Sequence, residues 1–183
     1  MLERIPPGET IVLDLCYGTA RNITGKAIYR NPACFLHPDA AIALHRAAGF
    51  AQALDLRLHI YDAFRPSEAQ WVLWRHLPDP MYIADPREGS NHSRGVAVDL
   101  TLADRQGRVL DMGTPFDDMT MASHHGSVAV SREAQANRFL LLGLMRAAGF
   151  AHYAFEWWHY ELPDANSYAV LDDRQAATGM MGQ

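Results

Sequence analysis

The chain has 183 residues, 49% of them apolar and 20% charged, which suits one folded domain, 1–183, with a true core. A net charge of −5 without any basic run gives a phosphate backbone little to hold, so no nucleic-acid partner is expected. No stretch approaches the roughly 18 consecutive apolar residues of a membrane span, and "MLERIPPGETIVLDL" lacks the features of a signal peptide, so the expectation is a cytoplasmic protein with no membrane partner.

In chain order, "ETIVLDLCY" (9–17) alternates well enough for a strand, and "GTARNITGK" after it reads as loop. Cys16 and Cys34 sit in no CxxC pair and read as small buried hydrophobes of a reducing compartment. Residues 39–54 place Leu44, Ala47, Ala48, Ala51 and Leu54 at helical spacing. Residues 56–64 form a strand with Leu56, Leu58 and Ile60 on one face, and a helix follows in which Ser67 and Gln70 match an S-x-x-Q capping box. A proline-broken loop (78–91) leads to the strand "GVAVDLTL" (95–102), and "ADRQGRV" turns it into a hairpin with "VLDM". Residues 111–127 have no period, and a loop of that length is usually functional or mobile. In the helix of 131–150, Ser131 is the N-cap, Phe139, Leu142 and Met145 share a stripe, and Gly149 is the C-terminal glycine. A last strand spans 151–163, and from about residue 173 the polar tail is expected to fray. Helices combined with hairpin-connected strands indicate an α+β fold, a central antiparallel sheet flanked by helices. No nucleotide-binding glycine motif is present.

The chemistry gathers around "EGSNHSRGVAVDLTL" (88–102). Alternation puts Val96, Val98, Leu100 and Leu102 on one face, and Ala97, Asp99 and Thr101 on the other, so Asp99 faces the floor of a cleft that His92 can fold over. Two such ligands are half of a metal site, and "EWWHY" offers Glu156 and His159 for the rest. Catalytic zinc takes three protein ligands and leaves a fourth position open. His92, Asp99 and His159 meet that count, leaving Glu156 to take a proton from water the ion has acidified. The offset of Glu156 and His159 is odd, so an ideal strand would point them apart; the reading needs a bend at Trp157–Trp158. A non-haem iron triad fits less well, because its first histidine and acid usually lie much closer in sequence than His92 and Asp99. Arg65, ending a strand beside a proline turn, suits a substrate carboxylate or an oxyanion, while an ion pair with Asp62 is the plainer alternative. His124 and His125 read as surface residues, Trp157 and Trp158 as packing, and Met119 and Met121 as loop contacts near substrate or core cover.

"SNHSRGVAVDLTL", "EWWHYELP", "YDAFRP" and "LDMGTPFD", in this order, resemble the zinc D-Ala-D-Ala peptidases of the VanX-type dipeptidase branch, as do "NITGKAIY" and "PDPMY". The likeness runs from about residue 10 to 172. It implies the α+β fold of that family, one Zn²⁺ per chain and hydrolysis of the free dipeptide D-Ala-D-Ala. By motif it makes His92, Asp99 and His159 the zinc ligands, Glu156 the general base and Arg65 the transition-state stabiliser. It also makes Asp117 and Tyr17 the partners of the substrate ammonium, and Ser90 and Asn91 further substrate contacts. Phe64 stands where many members have Tyr, and Asn91 where others have Ser. A zwitterionic dipeptide would be measured for length between Asp117 and a cationic group at the far end of the site. A D,D-carboxypeptidase or endopeptidase acting on peptidoglycan peptides is the enzymatic alternative, and a non-catalytic zinc-binding module the other. The sequence leaves a homo-oligomer open.

Overall fold

The computed structural model describes residues 1–182. Its elements in chain order are β1 (Glu3–Arg4), β2 (Ile11–Leu13), β3 (Phe35–Leu36), α1 (Pro38–Gln52), β4 (Leu56–Asp62), α2 (Ser67–His76), β5 (Ala97–Asp104), α3 (Arg132–Ala148), β6 (Ala151–His152), β7 (His159–Glu161) and α4 (Asp173–Ala176). The fold is α+β, around a five-stranded sheet in the order β2-β4-β5-β7-β6. The sheet is not wholly antiparallel as expected: β2 pairs with β4 in parallel, and the other pairs are antiparallel. A parallel pair needs a long crossover, and the stretch between β2 and β4, with α1 in it, supplies one.

One face of the sheet is the main core. Leu58, Ile60, Val98, Leu100, Leu102 and Tyr160 point there, against α1 and α3, and none is measurably exposed. Helix α1 lies close because its buried stripe is mostly alanine: Ala40, Ala43, Ala47, Ala48 and Ala51, with Leu44. Helix α3 is capped as expected. The Ser131 hydroxyl accepts from the Ala134 amide at 3.0 Å, and Gly149 ends it at φ 107°. Its buried stripe is displaced, however. Ala134, Arg138, Leu141, Leu144, Met145 and Ala148 face inward, while Phe139 is 54% exposed. The displacement follows from Arg138, a fully buried guanidinium that no apolar pattern announces.

Other expectations are corrected. The capping box at α2 does not form: Pro66 holds the cap position without a side-chain bond, and the Gln70 side chain is used elsewhere. The hairpin after β5 forms but is short: Ala103 bridges Val109, the Asp104 amide donates to the Arg108 carbonyl and the Leu110 amide to the Leu102 carbonyl, each at 2.9 Å, and the Asp104 carboxylate takes the Gln106 and Arg108 amides in the turn. The first strand covers only 11–13, and the last splits into β6 and β7 with a turn between. The segment after 173, expected to fray, is packed. Met180 is buried, its carbonyl accepts from the Arg30 and Asn31 amides, and the Asp173 carboxylate takes the amides of Met180 and Met181. Met180 joins Tyr17, Tyr29, Phe64, Ala69, Leu73 and Ile83 in a second apolar cluster. Cys16 and Cys34 are buried free thiols, and burial pushes the Cys16 thiol up to about 12.

Candidate metal centre

Strand register builds the centre. Asp99 of β5 lies directly opposite His159 of β7, and Asp62 of β4 lies opposite Asp99 on the other side. The register shifts between Ile60 and Asp62, so Tyr61 is an extra residue. In an unbroken strand Asp62 would follow Leu58 and Ile60 into the main core; the bulge turns it to the face of Asp99. Three polar side chains thus form a row across three adjacent strands. His92 joins them from the turn before β5. That turn depends on Gly95, which has φ 70° and where an added Cβ would lie 2.7 Å from Leu2 and 3.2 Å from the His37 amide nitrogen.

His92, Asp99 and His159 each bring one donor atom to a group lying within 4.8 Å of one another. The ring nitrogens are already assigned by what surrounds them. His92 Nδ1 lies 2.7 Å from the Ala63 carbonyl, which only accepts, so Nδ1 carries the hydrogen and Nε2 a lone pair. His159 Nε2 lies 3.0 Å from the Glu161 carboxylate, which likewise leaves a lone pair on Nδ1. Those two lone-pair nitrogens are 3.1 Å apart. Asp99 approaches both, Oδ1 at 3.0 Å from His159 and Oδ2 at 3.3 Å from His92. Apart from the Arg65 guanidinium, 3.3 Å from Asp99 Oδ2, no donor among the described residues meets these acceptors, and two imidazoles with a carboxylate are a suitable donor set for a divalent cation. Without a metal ion the demand falls on a proton: although burial opposes it, Asp99 and Glu161 draw the His159 imidazole up to about 10. Burial would also raise the Asp99 carboxyl, but His92 and His159 outweigh it and hold it below the ordinary range.

Glu156 is 6% exposed and lies in the turn before β7, not on a strand. The parity conflict with His159 therefore disappears. Two successive turns, at 154–155 and at 157–158, precede β7; the second is the bend expected at Trp157–Trp158, and Glu156 Oε2 lies 3.9 Å from His159 Nδ1. Burial pushes the Glu156 carboxyl up to about 8.

Arg65 lies three residues beyond the end of β4 and is buried, with each of its guanidinium nitrogens bonded. Its Nε donates to Asp62 at 2.8 Å, one terminal nitrogen to Gln70 at 2.9 Å and the other to Asp99 at 3.3 Å, with the guanidinium 4.7 Å from the Tyr17 ring centre. The ion pair with Asp62 is thus real but buried, and it aims Arg65 at the cluster. Tyr29 completes the support, its hydroxyl donating to Asp62 at 2.8 Å. Across the cavity, Tyr17 donates to Asp117 at 2.9 Å, and the Ile23 amide donates to the other carboxylate oxygen at 3.0 Å. Burial lifts the Asp117 carboxyl to about 7. Ser90 is buried beside His92, its hydroxyl accepting the His92 amide hydrogen, and Asn91 donates to Glu161 at 2.8 Å.

All nine residues singled out in the sequence line one cavity of about 250 Å³, below the roughly 300–1,000 Å³ of sites for drug-sized ligands. Among the described residues Arg65 is its only lysine or arginine, against the carboxylates of Asp99, Asp117, Glu156 and Glu161. Arg65 is therefore the one arginine or lysine of the described lining that could serve as the cationic end of a length gauge. Met119 and Trp158 line the cavity, whereas Met121 is 77% exposed. His124 is not a bare surface residue, since its Nε2 lies 3.2 Å from the Tyr82 hydroxyl. Tyr29 and Glu161 escaped the sequence reading, whereas Asp62 entered it only as an ion-pair partner of Arg65 and Gln70 only as a helix cap. Glu161 had a signal: it is two residues beyond His159 and so on the same strand face.

Two imidazoles and a carboxylate gathered beside a buried glutamate, in a small and partly open cavity, have the composition of a candidate metal site. The family model described as Peptidase_M15, D-ala-D-ala dipeptidase, matches residues 4–178. The chain is 51% identical to the D-alanyl-D-alanine dipeptidase of Escherichia coli, over 88% of this chain and 84% of that one. It is 33% identical to the D-alanyl-D-alanine dipeptidase of Enterococcus faecalis, over 82% and 85% respectively. The solved structure of the Serratia marcescens L-Ala D-Glu endopeptidase ChiX superposes with a TM-score of 0.47 at 14% identity, covering 86% of this chain and 95% of that one. The chain belongs to the Peptidase_M15 D-ala-D-ala dipeptidase family and is a peptidase.

Proposed function

We propose that the protein hydrolyses the free dipeptide D-Ala-D-Ala to two D-alanines, with one Zn²⁺ held by His92, Asp99 and His159. The observation that carries the reading is the convergence of two lone-pair imidazole nitrogens and a carboxylate beside the buried Glu156. When bound, the ion supplies Lewis-acid polarisation of the scissile carbonyl and of water. The hard oxygen donor and two imidazoles, with no thiolate near, suit zinc.

Glu156 acts as general base. Its carboxylate accepts the proton of the attacking water and returns it to the departing amine nitrogen. Burial favours its protonated form and a cation nearby favours its charged form, so both states are within reach near neutral pH. Arg65 is held on three sides and keeps its remaining N–H donors for the oxygen that gains charge as the carbonyl becomes tetrahedral. Asp117, aligned by Tyr17, binds the substrate ammonium. This carboxylate is costly to keep charged in its buried position, and an ammonium partner relieves that cost. A longer peptide at the amine end would offer an uncharged amide instead and lose the interaction. Ser90 completes the wall beside His92.

No helix among the described residues is long and apolar enough to cross a membrane. Two buried, unpaired thiols support action in a reducing compartment, the cytoplasm.

The test is D-alanine release from D-Ala-D-Ala and from a pentapeptide ending in D-Ala-D-Ala, with parent protein and Glu156→Gln, alongside zinc content. The reading expects turnover of the dipeptide alone, and a Gln variant that keeps its zinc but loses turnover by a hundredfold or more. Cleavage of the pentapeptide at a comparable rate would favour a carboxypeptidase, and zinc without cleavage of either a non-catalytic module.

A further inference from the structure

We infer that Glu161 is a positioning residue for the metal site and that Asn91 aligns it, so that the string Asn91–Glu161–His159 sets how tightly the cluster holds its cation. This rests on His92, Asp99 and His159 being the ligands.

The two cluster histidines are supported differently. His92 hands its outer ring hydrogen to a neutral acceptor, the Ala63 carbonyl. His159 hands its own to a carboxylate, Glu161 Oε2, at 3.0 Å. A carboxylate behind a ligand imidazole fixes the tautomer and ring orientation and makes the metal-facing nitrogen a better electron donor. The placement is built by the backbone. On β7 the side chains of His159 and Glu161 share the cavity face, while Tyr160 between them is buried in the main core. Glu161 pairs with Ala97 on one side and Ala151 on the other, so only methyl groups flank it across the strands.

Asn91 supplies the second constraint. Its amide nitrogen donates to the same oxygen, Oε2, at 2.8 Å. That oxygen is then held by two N–H donors from different segments, one on β7 and one in the turn carrying His92. Since Asn91 immediately precedes His92, the bond ties together the two chain segments that bring the imidazoles to each other. One hydrogen of the Asn91 amide is therefore engaged in support of the ligand, while its second N–H and its oxygen stay free for the cavity that Asn91 lines.

The inference is tested by Zn²⁺ affinity, read by competition with a chromophoric chelator in the full chain, for parent, Glu161→Leu, Glu161→Gln, Asn91→Ala and the double variant Asn91→Ala/Glu161→Leu. Glu161→Leu should loosen Zn²⁺ by about 10–100-fold and the near-isosteric Glu161→Gln by less. Asn91→Ala should loosen it several-fold alone and no further once Glu161→Leu is present. Zn²⁺ affinity within twofold of the parent in both Glu161 variants would overturn the inference while leaving the ligand assignment intact. So would an Asn91→Ala effect that is undiminished in the double variant. A parent chain that binds no Zn²⁺ would remove the proposed function and this inference together.

Discussion

Replacing Arg138 with methionine should be among the most damaging substitutions outside the metal centre. The guanidinium is fully buried and donates to the Met112 carbonyl at 2.7 Å, to the Ala122 and His124 carbonyls at 2.8 and 3.2 Å, and to the Thr114 hydroxyl at 3.4 Å. No carboxylate bonds to it; it organises loop backbone. Methionine keeps the aliphatic stem but leaves the Met112 and Ala122 carbonyls without this donor, at about 1–3 kcal/mol for each buried group left unsatisfied, while the His124 carbonyl keeps the Ser127 amide at 3.1 Å. The sum is offset in part because a desolvated charge is also removed. A net loss of about 2–4 kcal/mol follows, a large fraction of the roughly 5–15 kcal/mol that a domain has. In a chain of this size that is a Tm drop on the order of 10 °C. The loop it pins carries Asp117, and it also meets the turn before β7. Trp157 donates its indole hydrogen to Thr114 at 2.8 Å and its amide to the Ser123 carbonyl at 3.1 Å. Urea unfolding would give the stability change, and steady-state kinetics on D-Ala-D-Ala at saturating zinc should show KM raised more than kcat is lowered. A stability loss below about 1 kcal/mol, with unchanged KM, would refute the view that Arg138 organises this loop.

On the proposed role of Asp117 as partner of the substrate ammonium, Asp117→Asn should raise KM for D-Ala-D-Ala at least tenfold, about 1.4 kcal/mol, with Zn²⁺ affinity unchanged; a zinc titration beside the kinetics checks both. Gly95→Ala places a methyl group 2.7 Å from Leu2 at φ 70°, and should both destabilise the fold by about 1–3 kcal/mol and weaken zinc, read by thermal unfolding and chelator competition. His125 has both ring nitrogens buried without a partner, and burial lowers its pKa to about 4. Above about pH 6.5 it is neutral folded or unfolded and contributes no pH dependence. Between there and about pH 4 the unfolded chain takes up a proton that the folded form refuses, so stability falls as pH falls, by roughly 2 kcal/mol at pH 5, and levels off below. His125→Phe should flatten that acid slope in urea unfolding series at pH 7 and pH 5; an unchanged slope would show that His125 is not its source.

Local periodicity made Asp99 legible, whereas Tyr17, Ser90, Asn91 and Asp117 lie outside the strands and were reached only through the family likeness. Period-two alternation in 95–102 puts Asp99 opposite the aliphatic face, and the structure confirms that placement while burying both faces. The turn that frees Glu156 from strand parity could not be read, because "AHYAFEWWHY" has aromatic residues throughout and no glycine or proline to mark a break. Asp62 was hidden by a bulge, which changes side-chain direction without a characteristic residue. Gln70 looked like a helix cap because its spacing from Ser67 fits one, but tertiary contact recruited it to Arg65. The parallel pairing of β2 and the burial of Met180 and Arg138 are long-range facts, set by which segments meet and not by any local pattern.

X-ray absorption at the zinc edge, on the chain loaded with one equivalent of Zn²⁺, addresses the central claim most directly. The account predicts a first shell of nitrogen and oxygen only, at about 2.0–2.1 Å, with two imidazole scattering patterns that fall to one in His159→Ala. Sulfur at about 2.3 Å, or an unchanged spectrum in that variant, would place the ion elsewhere and contradict it.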